Sequence, residues 1–206
     1  MIKKIITVLS IVSIFYFSTI VFAAEVLIDS YSESNTVGYD KNYATDYTYM
    51  GQAFKTLNDG NSYNISSAKF YGYKVGSPTG NIYAELFAGT GTYGSTMTGT
   101  GSALAVSNPI DISTMSTSPS LITWTFSGVN QYQMLPNTAY VIVVHAPSGS
   151  ASNYFANAYD NTSPTHSGNR TYTSAGTWYA QSTIDNIFYV YGTLPATGEE
   201  YIINFN

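Results

Sequence analysis

Apolar and polar residues alternate with period two along most of the chain, in short runs separated by clusters of Gly, Ser, Asn, Asp and Pro. "EVLIDSY" (25–31) predicts a first strand, "SNTVGYDKNYATDY" (34–47) a polar, Tyr-dotted connection, and "TYMGQAFKT" (48–56) the entry into the body. "ISSAKFYGYKV" (65–75), the turn "GSPTGN" and "IYAELFA" (82–88) predict a hairpin with a longer loop. In its second arm Ile82, Ala84, Leu86 and Ala88 share one face, and Tyr83, Glu85 and Phe87 share the other. "GTGTYGSTMTGTG" (89–101) predicts an open loop, followed by strands at "SALAVS" (102–107) and "LITWTFS" (121–127). "AYVIVVHA" (139–146), after the turn "LPNT", is the most apolar run and predicts a central strand. "NYFANAYD" (153–160), a hairpin within "RTYTSAGTWYAQ" (170–181) and "TIDNIFYVYG" (183–192) complete the set. Ile82, Leu86, Ile122, Trp124, Phe126, Ile142, Val144 and Phe188 are the expected core.

Nine to eleven short strands and no helical periodicity predict an all-β fold, a two-sheet antiparallel β-sandwich of jelly-roll type. Composition agrees: twenty Tyr and ten Phe, with abundant Thr, Ser, Gly and Asn, suit strands and turns better than helices.

The first 23 residues depart from this pattern. Lys3 and Lys4 precede the uncharged run "IITVLSIVSIFYFSTIVF", and Val21 and Ala23 occupy the small-residue positions before a cut. This order predicts an export signal removed ahead of Ala24, a retained signal anchor being the alternative. The expected organisation is a signal peptide at 1–23, a sandwich at 24–192 and a C-terminal tail at 193–206, the product being secreted or held at the cell surface. Without Lys3 and Lys4, five basic residues face twelve acidic ones, a formal charge of −7. That charge argues against a nucleic-acid partner, and no membrane span is expected after signal cleavage. The chain has no cysteine, so structural zinc and thiol chemistry lose their usual ligands.

The segments "GQAF", "AKFYGYKVGSPTGNIYAELFAGTGTYGS", "ITWTFSG", "NTAYVIVV", "SPTHSGN" and "IFYVYG", spread over 51–192, resemble an extracellular bacterial β-sandwich module of jelly-roll or anchor type. Such modules occur in exported, surface-attached and phage tail-associated proteins. The resemblance implies a binding or adhesive role and carries no catalytic motif. In the tail, "LPATG" (194–198) is similar to the pentapeptide cut by sortase transpeptidases. Only "EEYIINFN" follows, too short to span a membrane and without a basic residue.

No nucleophile elbow, zinc-binding helix motif or phosphate loop is present, so no catalytic residue is assigned. His145 lies in the Val-rich strand, where a structural role is expected. Glu85 with Asp160 or Asp185 is the carboxylate pair weighed for glycoside hydrolysis, and nothing in the sequence marks it. Binding has better material in "NYFANAYDNTSPTHSGNRTYTSAGTWY" (153–179). This stretch supplies aromatic faces for sugar rings and short polar groups for hydroxyls, as a glycan site requires. Tyr154, Tyr159, Asp160, His166, Asn169, Arg170 and Trp178 are the candidate ligand-binding residues, Arg170 being the sole arginine. The competing expectation packs these tyrosines in the sandwich and pairs Arg170 with Asp160. No cofactor is expected, and Asp40, Asp46, Asp59 and Asp160 are the loop carboxylates to which a structural Ca²⁺ would bind. The expected partner is a glycan or another extracellular polymer. The alternative is a structural or assembly role, in a cell surface or tail-like particle, with Tyr-rich faces meeting other protein chains.

Overall fold

The computed structural model describes residues 24–45 and 47–196. The expected signal at 1–23, Asp46 and the tail from Thr197 onward lie outside the described residues. Among those described, no helix is long and apolar enough to cross a membrane.

Two antiparallel sheets pack face to face. Sheet A contains β1 (Val26–Tyr31), β2 (Gly38–Asn42), β4 (Tyr63–Val75), β8 (Ser120–Thr125), β9 (Gln133–Met134), β11 (Tyr154–Asp160), β14 (Asp185–Asn186) and β15 (Phe188–Thr193). Sheet B runs β13-β12-β3-β10-β5-β6, where β3 is Tyr49–Lys55, β5 Asn81–Thr90, β6 Thr98–Val106, β10 Ala139–His145, β12 Arg170–Ser174 and β13 Thr177–Gln181. The two-residue β7 (Ile110–Asp111) pairs with β5. The chain repeatedly crosses between the sheets, which gives the jelly-roll-like order.

The core lies between the sheets, where the alternation placed it. Ile82, Leu86, Trp124, Phe126, Ile142, Val144 and Phe188 are all buried, while Ile122 is only partly buried against them. The central position expected for 139–146 is found, with β3 on one side of β10 and β5 on the other. The hairpin at 170–181 also forms, closed by Ala175 and Gly176, both at positive φ (48° and 79°). Gly176 suits that backbone, and Ala175 adopts it against its preference.

Two local expectations are corrected. β4 and β5 do not form a hairpin: "GSPTGN" carries the chain from sheet A to sheet B. A turn-rich link between alternating strands fixes their order but not whether they share a sheet. The polar connection at 34–47 contains β2, whose inward side chains Asp40 and Asn42 make polar contacts across the sandwich, to Arg170 and to the Val144 carbonyl. A strand facing inward with polar groups shows no hydrophobic alternation.

Sheet A forks. The first part of β4 pairs with β15 and its last residues, Gly72–Val75, pair with β11. Ile187 sits in the fork, donating its N–H to the Ala158 carbonyl at 3.0 Å and accepting that of Tyr71 at 3.5 Å.

Sheet B curls. Six flat strands would hold their two edges about 24 Å apart at ~4.8 Å per strand. Instead β6 and β13 meet, and a Cβ on Gly99 would lie 2.8 Å from the Trp178 ring. The concave side, facing away from sheet A, is filled at one end by Ala53, Phe87, Met97, Val141 and Val143. The segment 91–97 covers that end, and Asn169 Nδ2 donates to the Met97 carbonyl at 2.9 Å.

Candidate functional site

The registers of sheet B bring a row of rings together at the other end of its concave face. Tyr83 pairs with His145, His145 with Tyr49, and Thr173 with Trp178, while Thr173 Oγ1 accepts the Tyr49 N–H at 3.1 Å. From β5 to β13 the row therefore reads Tyr83, His145, Tyr49, Thr173, Trp178. Tyr49 stacks on His145 with centroids 4.2 Å apart and meets Trp178 at 5.5 Å, and Tyr83 lies 6.1 Å from His145. All four rings are partly exposed.

Two residues along β5 from Tyr83, on the same face, stands Glu85. Its Oε1 accepts from His145 Nδ1 at 2.5 Å, and the two side chains are 9% and 19% exposed. Burial, and then the Glu85 carboxylate, raise the Tyr49 hydroxyl above its ordinary pKa. The row thus sets packed, partly exposed aromatic rings beside a nearly desolvated carboxylate.

The residues singled out in 153–179 are dispersed over several surfaces. Tyr154 lies on the outer face of sheet A, with Lys41 Nζ 5.1 Å from its ring centre. Tyr159 and Arg170 do meet, between the sheets, with the guanidinium 5.8 Å from that ring and 5.3 Å from Tyr172. Arg170 is buried and pairs with Asp40 at 2.5 Å, not with Asp160. Asn169 is buried, with its amide donating to backbone carbonyls of Met97 and Arg170. Trp178 follows the opposite alternation on the β12–β13 hairpin and lies on the concave face, with sheet B between it and Arg170.

Asp160 holds a turn. Its Oδ1 accepts from the N–H of Thr162 and Ser163, and its Oδ2 from the Tyr31 hydroxyl at 2.8 Å. Burial works to raise this carboxyl, but the hydrogen bonds outweigh it and hold it below the ordinary 3.8. A lowered acid stabilises the fold above its unfolded value, and that contribution disappears as pH falls through the folded value. Asp160→Asn is therefore expected to cost about 1 kcal/mol at neutral pH, a deficit that shrinks on acidification. Urea midpoints at both pH values, for wild type and variant, check this.

His166 belongs to a buried polar network. Gly168 N–H donates to its Nδ1 at 3.0 Å, so Nε2 carries the hydrogen and donates to Asp29 Oδ2 at 3.2 Å. Gln52 Nε2 donates to Asp185 Oδ1 at 2.7 Å and approaches His166 Nδ1 at 3.1 Å, and Gln52 Oε1 accepts the Asn186 N–H. The lone pair of His166 is thus already engaged. Asp185 and Asp160 belong to sheet A and Glu85 points from the far face of sheet B, so sheet B separates Glu85 from both.

Among the described residues no group of three or more His, Asp or Glu is placed to hold a metal ion. Asp40 serves Arg170, while Asp59 serves Asn61 and Tyr63.

A second aromatic surface covers the outer face of sheet A. Tyr39 meets Tyr73 at 5.0 Å and Tyr71 at 6.4 Å, Tyr189 stacks along β15 with Tyr191, and Lys69 Nζ lies 4.7 Å from the Tyr191 ring. The Tyr189 hydroxyl donates to Glu33.

Sequence reasoning included Trp178 and missed Tyr49, Tyr83, Glu85 and His145 as partners. The only local signal was that Tyr83, Glu85 and Phe87 share the face opposite Leu86. Neither a family model, nor a curated protein, nor a solved structure matches this chain.

Proposed function

We propose that the protein is an exported, non-catalytic binding module for glycan or another extracellular polymer, acting through the ring row of sheet B. The observation that carries this reading is the concave, aromatic-lined face with one polar pair, His145–Glu85, at its open end. Concave sites with a few placed polar groups fit small ligands and sugars, whereas flat apolar patches fit protein partners. The aromatic rings would cover the C–H faces of sugars, and the tyrosine hydroxyls and Glu85 would meet their hydroxyls. The export order of residues 1–23 supports a secreted module.

Glycan-array binding followed by calorimetry tests the reading. Trp178→Ala is expected to weaken binding by at least about 1 kcal/mol, roughly fivefold, with the fold intact. Arg170→Ala is expected to lower stability and leave the affinity of the folded protein unchanged, because Arg170 is buried on the other side of sheet B. The reverse pattern would move the site to the space between the sheets.

A second reading is favoured by the tyrosines on sheet A, with exposed Leu27 and Leu121 on neighbouring strands. There the protein would be an assembly piece meeting other chains. Sedimentation of a Tyr71→Ser/Tyr189→Ser variant, compared with wild type, reports on it.

A further inference from the structure

We infer that the ring row on sheet B selects a sugar bearing a free ammonium group, a de-N-acetylated hexosamine, with the ammonium directed to Glu85. This inference rests on the glycan reading above and goes further by fixing the sign of the ligand's charge.

Glu85 is an unusual residue to find at that place. It sits in the row behind Tyr83, between Phe87 and the open end of the curl, with its side chain only 9% exposed. A carboxylate stripped of most of its water must be compensated by donors or by opposite charge. Among the described residues its one hydrogen bond comes from His145, to Oε1. None of the ion pairs found among the described residues joins Glu85 to a lysine or to Arg170, which pairs with Asp40 instead. Lys55, the lysine on the same strand as Tyr49, is exposed at the far end of β3.

The environment of Glu85 leaves this preference unopposed. Tyr49 is held between His145 and Trp178, so the neighbouring rings supply apolar contact and bring no lysine or arginine to the carboxylate. The carboxylate therefore favours a positive group. A sugar ring fits the aromatic row, so a sugar carrying its own ammonium satisfies both features with one ligand. A uronate would place like charges together and is disfavoured. An N-acetylated hexosamine keeps the ring contact and lacks the charge.

The test is calorimetric titration of the purified protein with three hexamers: glucosamine, N-acetylglucosamine and galacturonate. Spermine serves as a cation without a sugar ring. Conditions are set below the pKa of the glucosamine amine. The expected result is binding of the glucosamine hexamer at least about tenfold tighter than the N-acetylated one, with galacturonate weakest. In wild type the preference should shrink as salt rises from about 0.05 M to about 0.5 M, which requires no variant to fold. Glu85→Gln should erase the preference, bringing the glucosamine hexamer to the same affinity as the N-acetylated one. Trp178→Ala should weaken both hexamers together.

Equal binding of the two hexamers, weakened by Trp178→Ala, would overturn ammonium selection and leave the glycan reading standing. Spermine matching the glucosamine hexamer would also overturn the inference, by revealing a cation site indifferent to sugar. Absence of binding to all saccharides would overturn both.

Discussion

A Trp124→Ala variant is expected to lose about 3–5 kcal/mol of stability. Trp124 is completely buried and is among the largest side chains in the core between the sheets. Its ring meets Phe70 and Phe155 edge to face, each at 6.0 Å, so it joins β8 to both β4 and β11 at the fork of sheet A. Its indole N–H donates to the Ile82 carbonyl at a long 3.4 Å, a smaller contribution than the packing. Alanine would leave a cavity bounded by backbone on two sheets, which cannot collapse to fill it. Urea denaturation monitored by circular dichroism measures the loss. A cost below about 1 kcal/mol would mean that β8 packs loosely and that the fork is held by its backbone ladder.

Gln52→Leu is expected to cost about 3 kcal/mol at neutral pH, by a different route. Leucine nearly conserves the volume, so little cavity is formed. What is lost is the donor to Asp185 and the acceptor for the Asn186 N–H, both buried. Burial already raises the Asp185 carboxyl, against the opposing pull of the Gln52 hydrogen bond and of His166. Removing Gln52 raises it further. A carboxyl raised in the folded state favours folding below its unfolded value, and that advantage is lost as pH rises through the folded value. The deficit of the variant should therefore be largest at neutral pH and should narrow as the solution is acidified through the folded value of Asp185, which lies above 3.8. Denaturation at the two pH values decides the matter, and an equal deficit at both would remove Asp185 from the explanation.

The architecture was legible where side chains alternate for hydrophobic reasons. Ile82 and Leu86, Trp124 and Phe126, and Ile142 and Val144 all follow the period of two and all lie in the core. The hairpin at 170–181 was legible because its turn and both strands are local. β2 was hidden because its inward residues, Asp40 and Asn42, are held by charge and hydrogen bonding. The candidate site was legible in one residue, Trp178. Tyr83, His145, Tyr49 and Trp178 come from four strands spread over 49–178, and only the registers of sheet B align them. Stretch 153–179 has the composition of a binding site, but successive strand residues face opposite ways and the β12–β13 hairpin sends Arg170 and Trp178 to opposite sides.

The strands give the molecule two poles. Val26 lies beside Gly192, and Asn64 beside Thr193, so the described chain enters and leaves at one of them. β4 then runs 13 residues, about 43 Å, to Val75 and Tyr154 at the other. Tyr83 follows that far turn directly, and Tyr49 and His145 end their strands beside it. Held from its C-terminal side, the domain would point the ring row outward, away from whatever holds it. Tension between tether and ligand would run along the strands, loading the ladder bonds together in shear instead of peeling them one by one.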